Sequence, residues 1–296
     1  MRVFLPDLPP FHALKLEGVT PVFYSRDSLP GGGADGFVLW FLPPAGRLEL
    51  LNRPGLKWVL TLTAGIDHVL SELPEGVALY NAHTLHDKAV AQHALALMLS
   101  VGRGLYRSRD AQHGRHWSRA GQMHTLEGRR VTLWGYGHIG KLLEEMLRPL
   151  GAAVTGLTSR NAPQEVDAAL TATDDLVLLL PRTPSTRHIL NAQRLSLLPA
   201  RAWVYNLGRG DLIDQAALNA ALEAGHLGGA ALDVTEPEPL PESSPLWARE
   251  NVIITPHVGS TTDDLIVRGA ARAGVVIRAL QAGQQAPGRV DFGRGY

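Results

Sequence analysis

The chain has 296 residues, 45% of them hydrophobic, with 28 Lys+Arg balanced by 28 Asp+Glu. That length supports one large core or two ordinary ones, and the even charge leaves no electrostatic footprint for nucleic acid or an acidic membrane. With no cysteine there is no disulfide, thiolate metal site or cysteine nucleophile.

The N-terminal "MRVFLPDLPPFHALKLEG" has no long apolar run, so no signal peptide is expected. The apolar runs "RVFL", "TPVFY", "GFVLWF", "KWVLTLTAG" and "VALYNA" then read as strands of βα units, interrupted by the loop "LPGGGADG". Residues 88 to 106 follow as an apolar-faced helix. Its run "AVAQHALALMLSVG" is broken by Gln92 and His93 and is too short to span a bilayer. The locally basic "RGLYRSRDAQHGRHWSR" reads as a solvated connection or dimer-contact arm.

From about residue 130 a second series begins: "RVTLWG", "AAVTGL", "DLVLLL", "AWVYNL", "GGAALDV" and "NVIITP", with helices expected at 138–149, 191–198 and 214–224. A long helix is expected over 261–282. These strands are continuously apolar, as in parallel sheets covered on both faces. Ligands of such sheets bind beyond the carboxyl ends of the strands. The pattern predicts two α/β domains, the chain crossing near residue 90 and returning after residue 260, in a cytoplasmic protein.

Four clusters sit at those ends. In "GYGHIG", Gly135 permits a tight strand-to-helix turn, Gly137 lets backbone approach a pyrophosphate, and Gly140 allows close helix–sheet packing. The helix beginning near His138 aims its free N–H groups at phosphate. Such a unit carries an Asp or Glu about 20 residues on for the ribose 2′-hydroxyl. Here no acid occurs between Glu145 and Glu165, and the second strand ends in Thr158, Ser159 and Arg160. That basic end suits a 2′-phosphate, so NADP(H) is preferred and NAD(H) is the alternative.

The third cluster is "NLGRGDLID", where glycines flank Arg209, a planar fork suited to carboxylate. In the fourth, "ALDVTEPEPLP" and "NVIITPHVGS" put His257 above a strand next to one ending near Glu236 and Glu238. A carboxylate beside an imidazole favours its protonated form and fixes its tautomer, giving a proton donor for a carbonyl becoming an alcohol. The residues alone leave Glu236 and Glu238 as competing partners. His83, His86 and Asp87, like His113 and His116, lie close in sequence, but no further ligand is in register and no metal is expected.

Together, "GYGHIG", "NLGRGDLID", "DVTEPEPLP" and "TPHVGS" resemble the D-isomer-specific 2-hydroxyacid dehydrogenases. The resemblance extends to "LKWVLTLTAGIDHV", "AHTLHDKAVAQHALALML" and the closing "GRGY". It implies a Rossmann-type coenzyme domain (91–263) inserted in a flavodoxin-like substrate domain (1–90 and 264–296), both doubly wound parallel sheets. It implies Arg209, Glu238 and His257 as the catalytic set, taking Glu238 over Glu236, and substrate carboxylate held by backbone N–H groups of Ala64 and Gly65. Cofactor contacts would fall on His138, Ile139, Ser159, Arg160, Leu180, Pro181, Leu207, Gly208, Asp233, His257, Gly259 and Ser260, beside the glycines.

A Ser-Arg pair after the second strand is typical of the NADP-preferring glyoxylate and hydroxypyruvate reductases of the family. "VLWFLPP" is similar to that group and puts Trp40 or Phe41 near substrate. The expected reaction is hydride transfer from NAD(P)H, bound in an interdomain cleft that closes to exclude water, to a small 2-oxo acid in a homodimer. The alternative is a dinucleotide-sensing protein like the family's corepressors. A formate dehydrogenase fits less well, because that branch has glutamine in place of the histidine's glutamate partner. Gln92, where Glu is common, Thr235, where Phe is common, and a short first domain depart from the family pattern.

Overall fold

The computed structural model describes residues 1–292 except Ala64, Ala120 and Gln122, with His83 described in its backbone alone. The expected contact at Ala64, the side chain of His83 and the closing "GRGY" therefore lie outside the described residues. The chain divides into two compact units, Met1–His86 with Thr262–Tyr296, and Asp87–Thr261.

The first unit contains β1 (Arg2–Pro6), α1 (Pro9–His12), β2 (Thr20–Tyr24), β3 (Gly36–Leu39), α2 (Pro44–Leu51), β4 (Trp58–Thr61), α3 (Asp67–Leu70) and β5 (Ala78–Tyr80). Its parallel sheet has the order β2-β1-β3-β4-β5. This is the flavodoxin-like order, whose switch point lies between β1 and β3. Strands β3 and β4 are buried along their whole length, which explains their unbroken apolar sequence.

The second unit runs α4 (Asp87–Gly102), α5 (Leu105–His113), β6 (Arg130–Trp134), α6 (His138–Leu147), β7 (Ala153–Leu157), α7 (Pro163–Thr171), β8 (Asp175–Leu178), α8 (Ala192–Leu197), β9 (Trp203–Asn206), α9 (Gln215–Glu223), β10 (Gly229–Leu232) and β11 (Val252–Ile254). The order β11-β10-β9-β8-β6-β7, parallel throughout, puts the switch point between β6 and β8. The common dinucleotide-binding order has one further strand beyond the second. Here α7 alone joins β7 to β8 among the described residues. Edge strand β7 accordingly alternates between exposed and half-buried positions.

The chain then closes the first unit with α10 (Leu265–Gln281), which buries Gly269, Ala270, Ala273, Gly274, Val276 and Ile277 along one face. At Gly269 a Cβ would stand 2.0 Å from the Trp40 ring, so only glycine admits this packing.

One expected helix ends early, and two further helices are present. The helix expected over 88–106 ends at Gly102, because Gly104 takes a left-handed φ of +61°, which glycine adopts without a Cβ penalty. The basic stretch beyond it, expected as a solvated connection or dimer-contact arm, is helical over 105–113 (α5) with no buried residue. Helix α7 was not expected, although Pro163 at its first position and Glu165 three residues after Ala162 signal a helix start. The Glu165 carboxylate accepts the Ala162 N–H at 2.9 Å.

Candidate active site

All six strands of the second unit end at one edge, and the loops leaving that edge carry the four clusters. Beyond β6, Gly135 sits at φ +108°, and a Cβ there would lie 2.6 Å from the Leu179 carbonyl carbon. A Cβ on Gly137 would meet no atom within 4 Å, so backbone at that point faces open space. Gly140 is buried, with its Cβ position 3.1 Å from the Gly135 carbonyl oxygen. Helix α6 starts at His138 with no side-chain cap and no acid in its first turn. These features fit a dinucleotide pyrophosphate, which first-turn N–H groups and the positive end of the helix dipole would attract. Ile139 packs partly on the core beneath, and the His138 ring stands 3.9 Å from the Asp87 carboxylate.

The turn after β7 is fixed by Asn161, whose Oδ1 accepts the Thr158 N–H at 2.8 Å, while Arg160 N–H donates to Thr158 Oγ1 at 3.2 Å. Ser159 and Arg160 are exposed. Among the described residues Arg160 has no ion-pair partner, and the next acid, Glu165, is turned back onto its own helix start.

After β8 and β9 the side chains of Leu180 and Leu207 are buried, leaving Pro181 and the backbone to line the edge. A Cβ on Gly208 would lie 2.7 Å from the Leu180 carbonyl oxygen, and one on Gly210 would lie 1.9 Å from the Thr235 carbonyl oxygen. The two glycines thus let the Arg209 loop pass between its neighbours. Buried Asn206 ties that loop, donating to the Arg209 carbonyl at 2.8 Å and accepting the Gly208 N–H at 3.1 Å. The Arg209 guanidinium donates to the Gly208 carbonyl at 2.7 Å.

The fourth cluster resolves the competition between glutamates. Glu238 Oε2 lies 2.9 Å from His257 Nδ1, and its Oε1 accepts the Thr235 N–H at 3.1 Å. Glu236 points elsewhere, to Arg187 at 2.8 Å and His188 at 3.2 Å. These pairings hold Glu236 below the usual carboxylate range, chiefly through Arg187. His257 has a φ of +52°, a left-handed conformation that costs a non-glycine residue of order 1 kcal/mol. Its ring is half exposed.

Asp233 behaves differently from the other expected cofactor residues. Its side chain is 4% exposed, and both carboxylate oxygens are engaged by its own surroundings, including the N–H groups of Val258 (3.0 Å) and Gly259 (2.9 Å). Burial works against its ionisation, yet hydrogen bonds from His93, Thr255, Gly259 and Val258 prevail and bring the carboxyl down to about 2. Gly259 is buried against this carboxylate, with Ser260 half-buried beside it.

The first unit brings a correction. Trp40 lies in the core, edge-on to Phe11 and beneath α10, whereas Phe41 beside it is 71% exposed with φ +46°. The exposed aromatic of "VLWFLPP" is Phe41. Gly65 is half-buried and its carbonyl accepts the Thr63 hydroxyl at 2.7 Å. Buried His86 bonds the Leu62 carbonyl at 3.0 Å. Among the described residues no group of three or more His, Asp or Glu side chains could hold a metal ion, and no helix is long and apolar enough to cross a membrane.

Residues 95–259 match the model of the D-isomer specific 2-hydroxyacid dehydrogenase NAD binding domain. The chain belongs to this family. It is an NAD(P)-dependent D-2-hydroxyacid dehydrogenase. A Corynebacterium melassecola protein from the proB 3′ region is 32% identical over 258 residues, spanning 81% of this chain and 84% of that one. A D-isomer specific 2-hydroxyacid dehydrogenase from Xanthobacter autotrophicus Py2, solved with NADPH and MES, superposes with a TM-score of 0.85 at 29% identity over 100% of both chains. The NADPH-dependent glyoxylate/hydroxypyruvate reductase of Sinorhizobium meliloti, solved with NADP and sulfate, gives 0.83 at 26% identity over 100% of this chain and 99% of that one.

The sequence alone assigns no role to Thr255, Arg187 or His188. Thr255 could have been noticed in "TPH", two residues before His257. The pairing of Arg187 and His188 with Glu236, 49 and 48 residues away, left no local signal.

Proposed function

We propose that this dehydrogenase reduces a small 2-oxo acid of the glyoxylate or hydroxypyruvate kind, preferring NADPH, with Arg209, Glu238 and His257 as its catalytic residues. The observation that carries the reading is the 2.9 Å contact between Glu238 and His257 Nδ1, at the same sheet edge as the glycine turn. With Nδ1 committed to the carboxylate, Nε2 is the ring nitrogen left to meet a substrate.

In this reading Asp87–Thr261 is the dinucleotide domain, close to the expected 91–263, and the other unit is the substrate domain. The α6 N-terminus holds the pyrophosphate, and Ser159 with Arg160 holds the 2′-phosphate. Backbone at Leu180, Pro181, Leu207, Gly208, Gly259 and Ser260 lines the rest of the cofactor path. When bound, the reduced nicotinamide supplies the hydride that C2 of the oxo acid accepts. Protonated His257 gives the Nε2 proton to the C2 oxygen, and Glu238, 2.9 Å from Nδ1, fixes the orientation of the ring. Arg209 pairs with the substrate carboxylate and stabilises the charge developing on oxygen. The S. meliloti reductase supports the substrate class. By family resemblance the protein is a homodimer.

The test is oxidation of NADPH and NADH with glyoxylate, hydroxypyruvate and longer 2-oxo acids. The highest kcat/KM is expected for one of the two small acids with NADPH. Turnover confined to bulky 2-oxo acids overturns the substrate class. Cofactor binding without turnover of any acid supports the dinucleotide-sensing alternative.

A further inference from the structure

His257 is held in its left-handed conformation by its own turn. The turn that carries it, residues 255–259, closes around Asp233 at the end of β10. His257 N–H donates to the Asp233 carbonyl at 2.8 Å, and Val258 and Gly259 donate to its carboxylate. The shortest contact to that carboxylate comes from the Thr255 hydroxyl, at 2.6 Å. Thr255 is met in turn by His93 of α4, whose Nε2 lies 3.0 Å from the hydroxyl oxygen and 3.4 Å from Asp233 Oδ1. His93 and Thr255 are 162 residues apart, so this join is made only by folding.

We propose that Thr255 and His93 are positioning residues for His257, acting through the buried Asp233 carboxylate. The inference rests on the reading of His257 as proton donor. A hydroxyl has one proton, and Thr255 spends it on Asp233, so the N–H of His93 must serve the remaining lone pairs. Asp233 is thereby held in one orientation, with Oδ1 and Oδ2 aimed at successive N–H groups of the turn. A residue in a disfavoured backbone region persists when its surroundings over-determine it, and these bonds do so here.

Thr255→Val keeps the shape and removes the hydroxyl, Thr255→Ser restores it, and His93→Leu and His93→Gln form the matching pair on α4. Thr255→Val should lower kcat by about 10-fold or more, with the KM for the 2-oxo acid and the Kd for NADPH within roughly twofold, as for loss of a hydrogen bond to a charged group. Thr255→Ser and His93→Gln should recover most of kcat. Hydrogen exchange of the ligand-free protein supplies a readout independent of turnover. In Thr255→Val and His93→Leu the Val258 and Gly259 amides should exchange about 10-fold faster, with protection of the β-sheet unchanged. Native kcat and native exchange in Thr255→Val would overturn the proposal, as would equal losses in Thr255→Ser. If the native protein reduces no 2-oxo acid, the function reading fails, and the exchange result alone decides whether these residues fix the turn.

Discussion

The two ends of the six-stranded sheet use charge in opposite ways. At the amino ends Asp175, fully buried, accepts Arg129 Nε at 2.6 Å and the Tyr205 hydroxyl at 3.1 Å. Arg130 and Asp174 pair beside them at 2.6 Å, and Arg130 holds the Asp174 carboxyl below its usual range. Burial, helped by the neighbouring Asp175, pushes the Tyr205 phenol well above its ordinary value. At the carboxyl ends the first turn of α6 is uncapped, Arg160 has no ion-pair partner among the described residues, and Glu238 and His257 form a half-exposed pair. One end satisfies its polar groups internally and contributes stability. The other keeps groups available for a ligand and accepts backbone strain at His257, as functional sites do.

Substitutions sharpen this contrast, because amino-end changes should move stability and carboxyl-end changes activity. Asp175→Ala leaves Arg129 and Tyr205 without their buried partner and should cost about 3 kcal/mol, the low end for a broken buried pair because Arg129 keeps a fifth of its side chain exposed. Chemical denaturation measures it, and kcat of the folded protein at 25 °C should stay near native. His257→Ala should do the reverse, lowering kcat by about 10²-fold with the denaturation midpoint little moved. Near-native turnover by this variant would remove His257 as the proton donor.

Asp233 belongs to both categories, and acid separates them. Its folded value of about 2 lies below the unfolded carboxyl, so its stabilisation is present above about pH 4 and is lost as pH falls through 2. The amount is about 2 kcal/mol, and Asp233→Asn should remove that part of the acid dependence. An unchanged stability profile between pH 2 and 4 would contradict it. The smallest effect is at exposed Arg160, where Arg160→Ala should raise the KM for NADPH by about 10-fold and leave NADH nearly untouched. Equal use of both cofactors by the native enzyme, unmoved by Arg160→Asp, would break the assignment of the 2′-phosphate.

Much of this protein is legible in one dimension because its cues are local. Unbroken apolar runs such as 36–39 and 175–178 mark strands covered on both faces, and glycines at 135, 208 and 210 mark where backbone must pass another chain segment closely. The end of α4 was missed by a few residues, since a glycine's left-handed φ is set by the packing around it. Burial was less legible than type. Trp40 and Phe41 are adjacent aromatics, and contacts with distant residues, Phe11 and Gly269 among them, place Trp40 in the core.

The sequence by itself determined the two parallel α/β units, the glycine turn and the basic end of β7, because each depends on residues close together along the chain. The family resemblance already favoured Glu238 over Glu236, but only the tertiary structure set its 2.9 Å contact with His257 and brought His93 to the same turn. Those contacts depend on adjacent strand ends and a helix arriving from distant positions, and hydrogen-bond reach of about 3 Å is set by packing, which no local pattern encodes.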